Sequence, residues 1–305
     1  MNKKELPKKK QHWVPLFYLR NWATEETKYS EKPPGWILSK NKGEPIKVNL
    51  RNFAEKRYLY SPPDKDGKRS FETEDKLADY ESVMSSIWSK ISNDYFDFSK
   101  GTPIRKGIAL FISLLYNRNP IKIKNIENTH SNLVKMYEEF PKTKNGNPLL
   151  TSIVHKGKEY LFDNSNYAEY KNSSKIDFQN MFVENIHRSA APFAKLFMNK
   201  RWAIVFSENE HFITSDNPVV VENPNKDIFG INTEGTMITF PLSPQRILIM
   251  DDLYLEGDGR YYPLKDNNPV PFHFTFWRNA KEFMLSKRYP NIVCEEIVKD
   301  ADRYV

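Results

Sequence analysis

The sequence predicts an α+β fold: an N-terminal hairpin, a helical middle and a C-terminal, mainly antiparallel sheet. Three observations lead there. Two short apolar runs near the start flank the turn-prone Asn41-Lys42-Gly43. Between Leu77 and Phe197 apolar residues recur at three- and four-residue spacing, the period of helices with one buried stripe. Beyond Lys200 the apolar runs shorten and are bounded by turn formers, the pattern of strands.

Taken in order, Gly35 to Lys40 and Glu44 to Val48 form the hairpin, and the polar Ser61 to Lys68 is a loop. Leu77, Tyr80, Met84, Ile87, Trp88, Ile91 and Tyr95 mark the first helix, with Glu72, Glu74 and Asp75 placing negative charge at its N-terminal end. Thr102-Pro103 supplies the cap and first position of a second helix, which is apolar nearly all round over Ile108 to Leu115 and stops near Asn119, before Pro120. A third helix spans Ile126 to Phe140, Pro141 to Pro148 is an exposed loop, and a fourth helix spans Ile176 to Phe197 with a kink at Pro192. Strands follow at Trp202 to Phe206, His211 to Thr214, Val219 to Val221, Met237 to Phe240 and Ile247 to Met250, while Phe272 to Leu285 fits either helix or strand. The expected organisation is one domain over residues 1–305, with a helical part to about 200 and a sheet part from 201.

A chain of 305 residues that is 39% hydrophobic and 14% aromatic has enough apolar surface for a substantial core. Its 46 Lys and Arg against 39 Asp and Glu give a net charge of +7, a mild bias toward polyanions such as nucleic acid or nucleotides. Lys3, Lys4, Lys8, Lys9 and Lys10 form a run that reads as a solvated tail before it reads as a binding arm. No uninterrupted apolar stretch follows, so neither a signal peptide nor a membrane anchor is expected and the cytoplasm is the expected location. The one cysteine, Cys294, allows no internal disulfide, and within Ile292-Val293-Cys294 it reads as a buried strand residue.

Several chemistries lack their signatures. There is no phosphate loop of the Gly-x-x-x-x-Gly-Lys-Ser/Thr type, and Gly257-x-Gly259 lacks the third glycine of a dinucleotide fingerprint. No His-Glu-x-x-His, His-x-His, Cys-x-x-Cys or Gly-x-Ser-x-Gly occurs. A metal site would have to be assembled from scattered ligands; no cofactor is identified, and a divalent ion stays compatible with the chemistry below.

The densest segment is Gln11-His12-Trp13-Val14-Pro15-Leu16-Phe17-Tyr18-Leu19-Arg20-Asn21-Trp22, in which a histidine and an arginine sit among aromatics. Together with Thr214-Ser215-Asp216-Asn217-Pro218 and Phe240-Pro241-Leu242-Ser243-Pro244, it resembles the family called domain of unknown function 4238, whose members open with His-x-x-Pro-x-x-Tyr-Leu-Arg and later carry Thr-Ser-Asp-Asn-Pro. Trp22 stands where Phe is commoner. The resemblance implies a bacterial-type protein of that fold and names no reaction. It makes His12 a candidate acid or base and Arg20 an anion clamp, while the plainer reading has His12 bonding the start of a short helix from Pro15. It likewise raises Asp216 above an ordinary turn former and brings in Tyr18, Ser215 and Asn217 as substrate-binding candidates.

Glu81 lies four residues after Leu77 and three before Met84, so a helix places its carboxylate beside the buried stripe, where it needs a partner such as Arg20 or Arg118. Pairing of that kind is structural in most proteins and an acid or base role is the alternative. Arg118 ends the second helix, where it suits the helix dipole; family members often carry Arg then Pro near there, and an Arg fork suits phosphate. Asp216 and Glu222 loosely resemble the acidic hairpin of metal-dependent nucleases, although Pro224 stands where a lysine belongs. His187 and Asn185 either border the same cavity or simply pack. The leading expectation is a nuclease or nucleotide-processing effector with His12, Glu81 and Asp216 as acid-base groups and Arg20 and Arg118 on phosphate. The rivals are a non-catalytic nucleic-acid or nucleotide-binding module and a structural network at a protein interface.

Overall fold

The computed structural model describes residues 9–24, 30–149, 152–161 and 164–301. Of the lysine run, Lys3, Lys4 and Lys8 lie outside the described residues, and Lys9 and Lys10 are exposed. The chain is α+β, with strands first, helices in the middle and a sheet toward the C-terminus. Strand β1 (Lys10–His12) pairs antiparallel with β4 (Glu55–Arg57), and the short helix α1 (Leu16–Leu19) follows β1 directly after Pro15. Between them β2 (Pro34–Ser39) and β3 (Pro45–Asn49) form the expected hairpin. Gly43 closes its turn with a φ of 69°, a left-handed conformation that costs glycine nothing sterically.

Helix α2 (Glu72–Asn93) buries Leu77, Met84, Trp88 and Ile91 and carries Glu72, Glu74 and Asp75 in its first turn. It ends two residues short of Tyr95, which is 67% exposed and outside the buried stripe. Helix α3 (Pro103–Asn117) starts where the Thr102 hydroxyl accepts the Arg105 backbone N–H. Helix α4 (Ile121–Glu138) begins directly after Pro120, five residues before the expected Ile126, and none of its residues is fully buried. A small hairpin, β5 (Ser152–His155) with β6 (Lys158–Leu161), was not foreseen; Lys156 and Gly157 turn it at positive φ. After α5 (Tyr167–Lys171) comes α6 (Lys175–Asn199), opened by a reciprocal cap between Ser174 and Asp177 and containing Pro192.

The C-terminal sheet runs β12 (Arg260–Pro263), β7 (Arg201–Phe206), β11 (Arg246–Asp251), β10 (Met237–Ser243), β9 (Val220–Glu222), antiparallel except for the β12–β7 pair. Two strand expectations need correction. Of His211 to Thr214 only Thr214 belongs to a strand, β8 (Thr214–Ser215), and that strand leaves this sheet. It pairs with β13 (Phe283–Ser286), which in turn pairs with β2, giving a second sheet of order β3-β2-β13-β8 that joins the two ends of the chain. The ambiguous Phe272 to Leu285 resolves into α7 (Val270–Asn279) and then β13. Cys294 lies in helix α8 (Pro290–Ala301), not in a strand, because Val293 and Ile297 pack on one cluster at the four-residue spacing of a helix.

One apolar cluster draws on every part of the chain, including Tyr18 and Trp22, Trp88, Phe111, Phe197, Trp202 and Phe240. Tyr18 sits at its centre, 5.3 Å from Phe240, 4.9 Å from Trp22 and 5.8 Å from Trp88 between ring centroids. Much of the opening motif is therefore core. Among the described residues no helix is long and apolar enough to cross a membrane.

Candidate functional site

Strand β1 is fixed before any chemistry is considered. The fully buried Gln11 side chain donates to the Ser61 hydroxyl at 3.0 Å and accepts the Tyr60 N–H at 2.7 Å. The Tyr60 hydroxyl donates to the His12 carbonyl at 3.1 Å. His12 is thereby held at the edge of a cavity of about 540 Å³ whose polar lining includes Lys10, Lys32, Arg51, Glu74 and Glu81.

The imidazole is oriented by the turn after β3. There the Asn49 side chain accepts the Arg51 N–H at 3.0 Å, and the Arg51 carbonyl lies 3.0 Å from His12 Nε2. A carbonyl only accepts, so Nε2 carries the proton of the neutral ring and Nδ1 keeps the lone pair. Burial pushes the His12 pKa below its usual value, opposed only in part by the Arg51 carbonyl and the Glu81 charge. At neutral pH the ring is uncharged, with its basic nitrogen free of protein hydrogen bonds among the described residues.

On α2, Glu81 pairs with Arg118 at 2.6 Å, and Arg118, 1% exposed, also donates from Nε to the Trp13 carbonyl at 2.9 Å. Burial alone would weaken the arginine's charge, and the carboxylate more than offsets that, leaving its pKa raised. Nη2 of Arg118 is buried without an acceptor. Arg20 stands nearby: it donates to the Ser30 carbonyl at 2.9 Å, and its pKa is lowered first by burial and then by the charge of Arg51. Arg51 lines the cavity and Arg20 lies within electrostatic reach of it, so the two charges add at Arg51. Arg51 and Lys32 are exposed and make no ion pair among the described residues, whereas Lys10 pairs with Glu55 at 3.0 Å.

The second motif does different work. Asp216 is 2% exposed and its carboxylate accepts the N–H groups of Lys281, Glu282 and Phe283 at 2.7, 2.9 and 3.2 Å. Burial raises its pKa against the pull of those donors. It borders a separate cavity of about 380 Å³ that shares Asn49 and Asn52 with the first and is also lined by Trp13, whose Nε1 donates to the Asp216 carbonyl at 2.8 Å. Tyr18, expected to touch substrate, is fully buried and bonds Thr214 Oγ1 at 2.8 Å and the Pro241 carbonyl at 2.9 Å. Ser215 is also fully buried and accepts the Asn217 N–H at 3.1 Å. Asn217 accepts from Asn119 at 3.0 Å and donates to the Asn279 carbonyl at 2.9 Å. Tyr18 and the Asp216 carbonyl thus tie the two motifs together, while Ser215 and Asn217 fix the turn around Asp216 and its bond to Asn119 and Asn279.

His12, Glu81 and Arg118 come together, whereas Arg20 bonds Ser30 and reaches the group only through the charge of Arg51; Asp216 borders the second cavity, with Trp13 bonded to its carbonyl. The nuclease-like pair does not form, since Glu222 is committed to Arg278 and Asn279. His187 bonds Thr73 at 2.9 Å, and Asn185 borders a third cavity between α4 and α6, so neither enters the His12 cavity. Sequence reasoning missed Arg51, Lys32 and Glu74 as cavity residues. Arg51 and Lys32 sit in exposed stretches with no periodicity to mark them, and Glu74 is indistinguishable from the other acids of its helical turn. Among the described residues no group of three or more His, Cys, Asp or Glu is arranged to hold a metal ion.

No curated protein and no solved structure matches the chain. Residues 10–289 match the model of a family described as protein of unknown function (DUF4238), and the chain belongs to that family.

Proposed function

We propose that the His12 cavity takes a phosphate-bearing substrate and that the protein is a phosphodiester- or nucleotide-processing enzyme. The observation that carries this reading is His12 itself: a neutral imidazole, oriented through Nε2 so that Nδ1 keeps its lone pair, lines a cavity that Arg51 and Lys32 also line. Arg51 and Lys32, which make no ion pair among the described residues, supply attraction for phosphate oxygens, and the charge of Arg20 reaches Arg51. A cavity of about 540 Å³ is the size of sites that hold small ligands of nucleotide dimensions.

The test is turnover on a panel of RNA, DNA and nucleotides, with and without Mg²⁺ or Mn²⁺. At least one member is expected to be degraded, with His12→Ala abolishing turnover while affinity persists through the cations. Equal turnover by wild type and His12→Ala would make His12 a structural residue. A second reading, a non-catalytic binding module, is favoured by one observation: Glu81 is already spent on Arg118 and Asp216 on backbone N–H groups, which leaves His12 as the proton-transfer group. Binding without turnover would select it.

A further inference from the structure

We infer that the cavity between α4 and α6 is a second binding site and that it takes a nucleotide, recognised through its base. The inference does not rest on the phosphate-processing reading and uses none of the residues that line the His12 cavity. The space is about 420 Å³, within the range of sites that hold small ligands. Its walls are fixed from several elements. On one side His130 of α4 donates from Nε2 to the Tyr170 carbonyl at 2.6 Å, with the two rings 4.6 Å apart, which ties α4 to α5. On α3 and α6, Tyr116 and Phe193 meet edge to face at 5.7 Å, and the fully buried Phe182 adds a third ring to the lining.

Three amide side chains share that lining, and each keeps hydrogen-bonding capacity that the described residues do not use. Asn117 is 8% exposed; its Nδ2 donates to the Ser113 carbonyl at 2.8 Å, which orients the side chain, while its Oδ1 receives no hydrogen bond among the described residues. Asn185 accepts from Arg188 at Oδ1, and its Nδ2 has no acceptor among them. The Asn125 amide bonds none of them at either end. A nucleobase suits this combination. Its flat faces meet aromatic rings, and its edge sets donors beside acceptors, which one amide can match with two bonds. An acceptor in a side chain as buried as Asn117 is costly while unbonded, and an exocyclic amino group is a donor that satisfies it. Lys122 adds a cation for phosphate: its Nζ lies 3.5 Å from the centre of the Tyr116 ring and makes no ion pair among the described residues. Helix α3 connects the two sites, since Tyr116 and Asn117 line this one and the next residue, Arg118, pairs with Glu81 of the His12 cavity.

The experiment titrates the full chain with the 5′-monophosphates of adenosine, guanosine, cytidine and uridine by isothermal titration calorimetry. Ribose 5-phosphate is the comparison, because it keeps the sugar and the phosphate and lacks the base. At least one nucleotide is expected to bind about 10-fold or more tightly than ribose 5-phosphate, the scale of one stacked base. Asn125→Ala, at an exposed position, should weaken that binding about 10-fold, the scale of one amide paired with a base edge. Thr129→Trp, exposed one helical turn further along α4, should fill the cavity and abolish it, whereas Arg51→Ala should leave it unchanged. Circular dichroism checks that each variant folds, and if Thr129→Trp does not, Asn125→Ala decides the place. Equal affinity for ribose 5-phosphate and every nucleotide overturns the inference, as does a failure of all four nucleotides to bind. Binding that is lost in Arg51→Ala and kept at wild-type strength in the α4 variants moves the nucleotide to the His12 cavity, which overturns this inference and supports the phosphate-processing reading.

Discussion

Replacing Asp216 with asparagine would keep its size and remove one of the oxygens that receive the N–H groups of Lys281, Glu282 and Phe283. The amide nitrogen would then face a donor inside the protein. We expect a loss of about 1–3 kcal/mol in urea unfolding, the cost of a buried donor left unpaired; an unchanged midpoint would mean that the three bonds contribute nothing. Glu81→Gln should cost a similar amount, about 1–3 kcal/mol, because Arg118 would keep its buried charge with one nitrogen already lacking an acceptor. The same measurement checks it, and a stability equal to wild type would mark the pair as dispensable to the fold. At this scale the sequence was informative where burial and charge conflict. Glu81 falls on a helical phase that demands a partner, and Arg118 is one of the two named for it. It was uninformative for Arg51, Lys32 and Glu74, which conflict with nothing locally, and it did not show that Tyr18, Ser215 and Asn217, read as substrate-binding, make hydrogen bonds within the protein.

Among the elements, those with strong local signals were readable. Thr102 and Pro103 announce α3, and Thr102→Ala, which removes the acceptor for the Arg105 N–H, should lower stability by about 1 kcal/mol in thermal or urea unfolding. No change would show that the backbone of the first turn is satisfied by other means. The hairpin β2–β3 and helices α2 and α6 were equally visible, from turn chemistry and apolar period. Failures arose where tertiary packing overrules local preference. The β-branched Ile292-Val293 reads as strand, yet the helix that starts at Pro290 sinks Val293 into the cluster under β13. The start of α4 was hidden because Lys122 and Lys124 dilute the apolar period over its first turn. The β5–β6 hairpin has mostly exposed faces and so leaves little alternation to read.

For the molecule as a whole, acid sensitivity is set in part by His273, which is fully buried on α7 beside His211, Arg288 and Glu296. Burial pushes its pKa down to about 4 from an ordinary value near 6.5. In the unfolded chain the ring takes its proton near 6.5, whereas the folded one resists until about pH 4, so between these values the unfolded state binds more protons. This contribution to stability is present in full above pH 6.5 and is lost as the pH falls toward 4, by about 3 kcal/mol across the window. Urea unfolding measured at intervals over that range should show the slope, and His273→Gln should flatten it; a variant with the wild-type slope would assign the effect elsewhere. The net charge of +7 carries a second expectation at this scale: if polyanions bind, affinity should fall steeply with added salt as condensed counterions are released, and a salt-independent affinity would point to a neutral ligand.

Sequence periodicity does not report that β8 abandons its neighbours in the C-terminal sheet to pair with β13 and, through it, with β2. That arrangement has a consequence during synthesis. Trp13 bonds the Asp216 carbonyl across 203 positions and Tyr18 bonds Thr214 across 196, so the opening motif waits for partners made much later. Contacts of such long range close slowly because the intervening chain must be ordered before they form. A chain interrupted before Phe283 would carry the complete opening motif and the partners that hold His12, yet lack β13, so β2 and β8 would have no strand between them and the second sheet would not close.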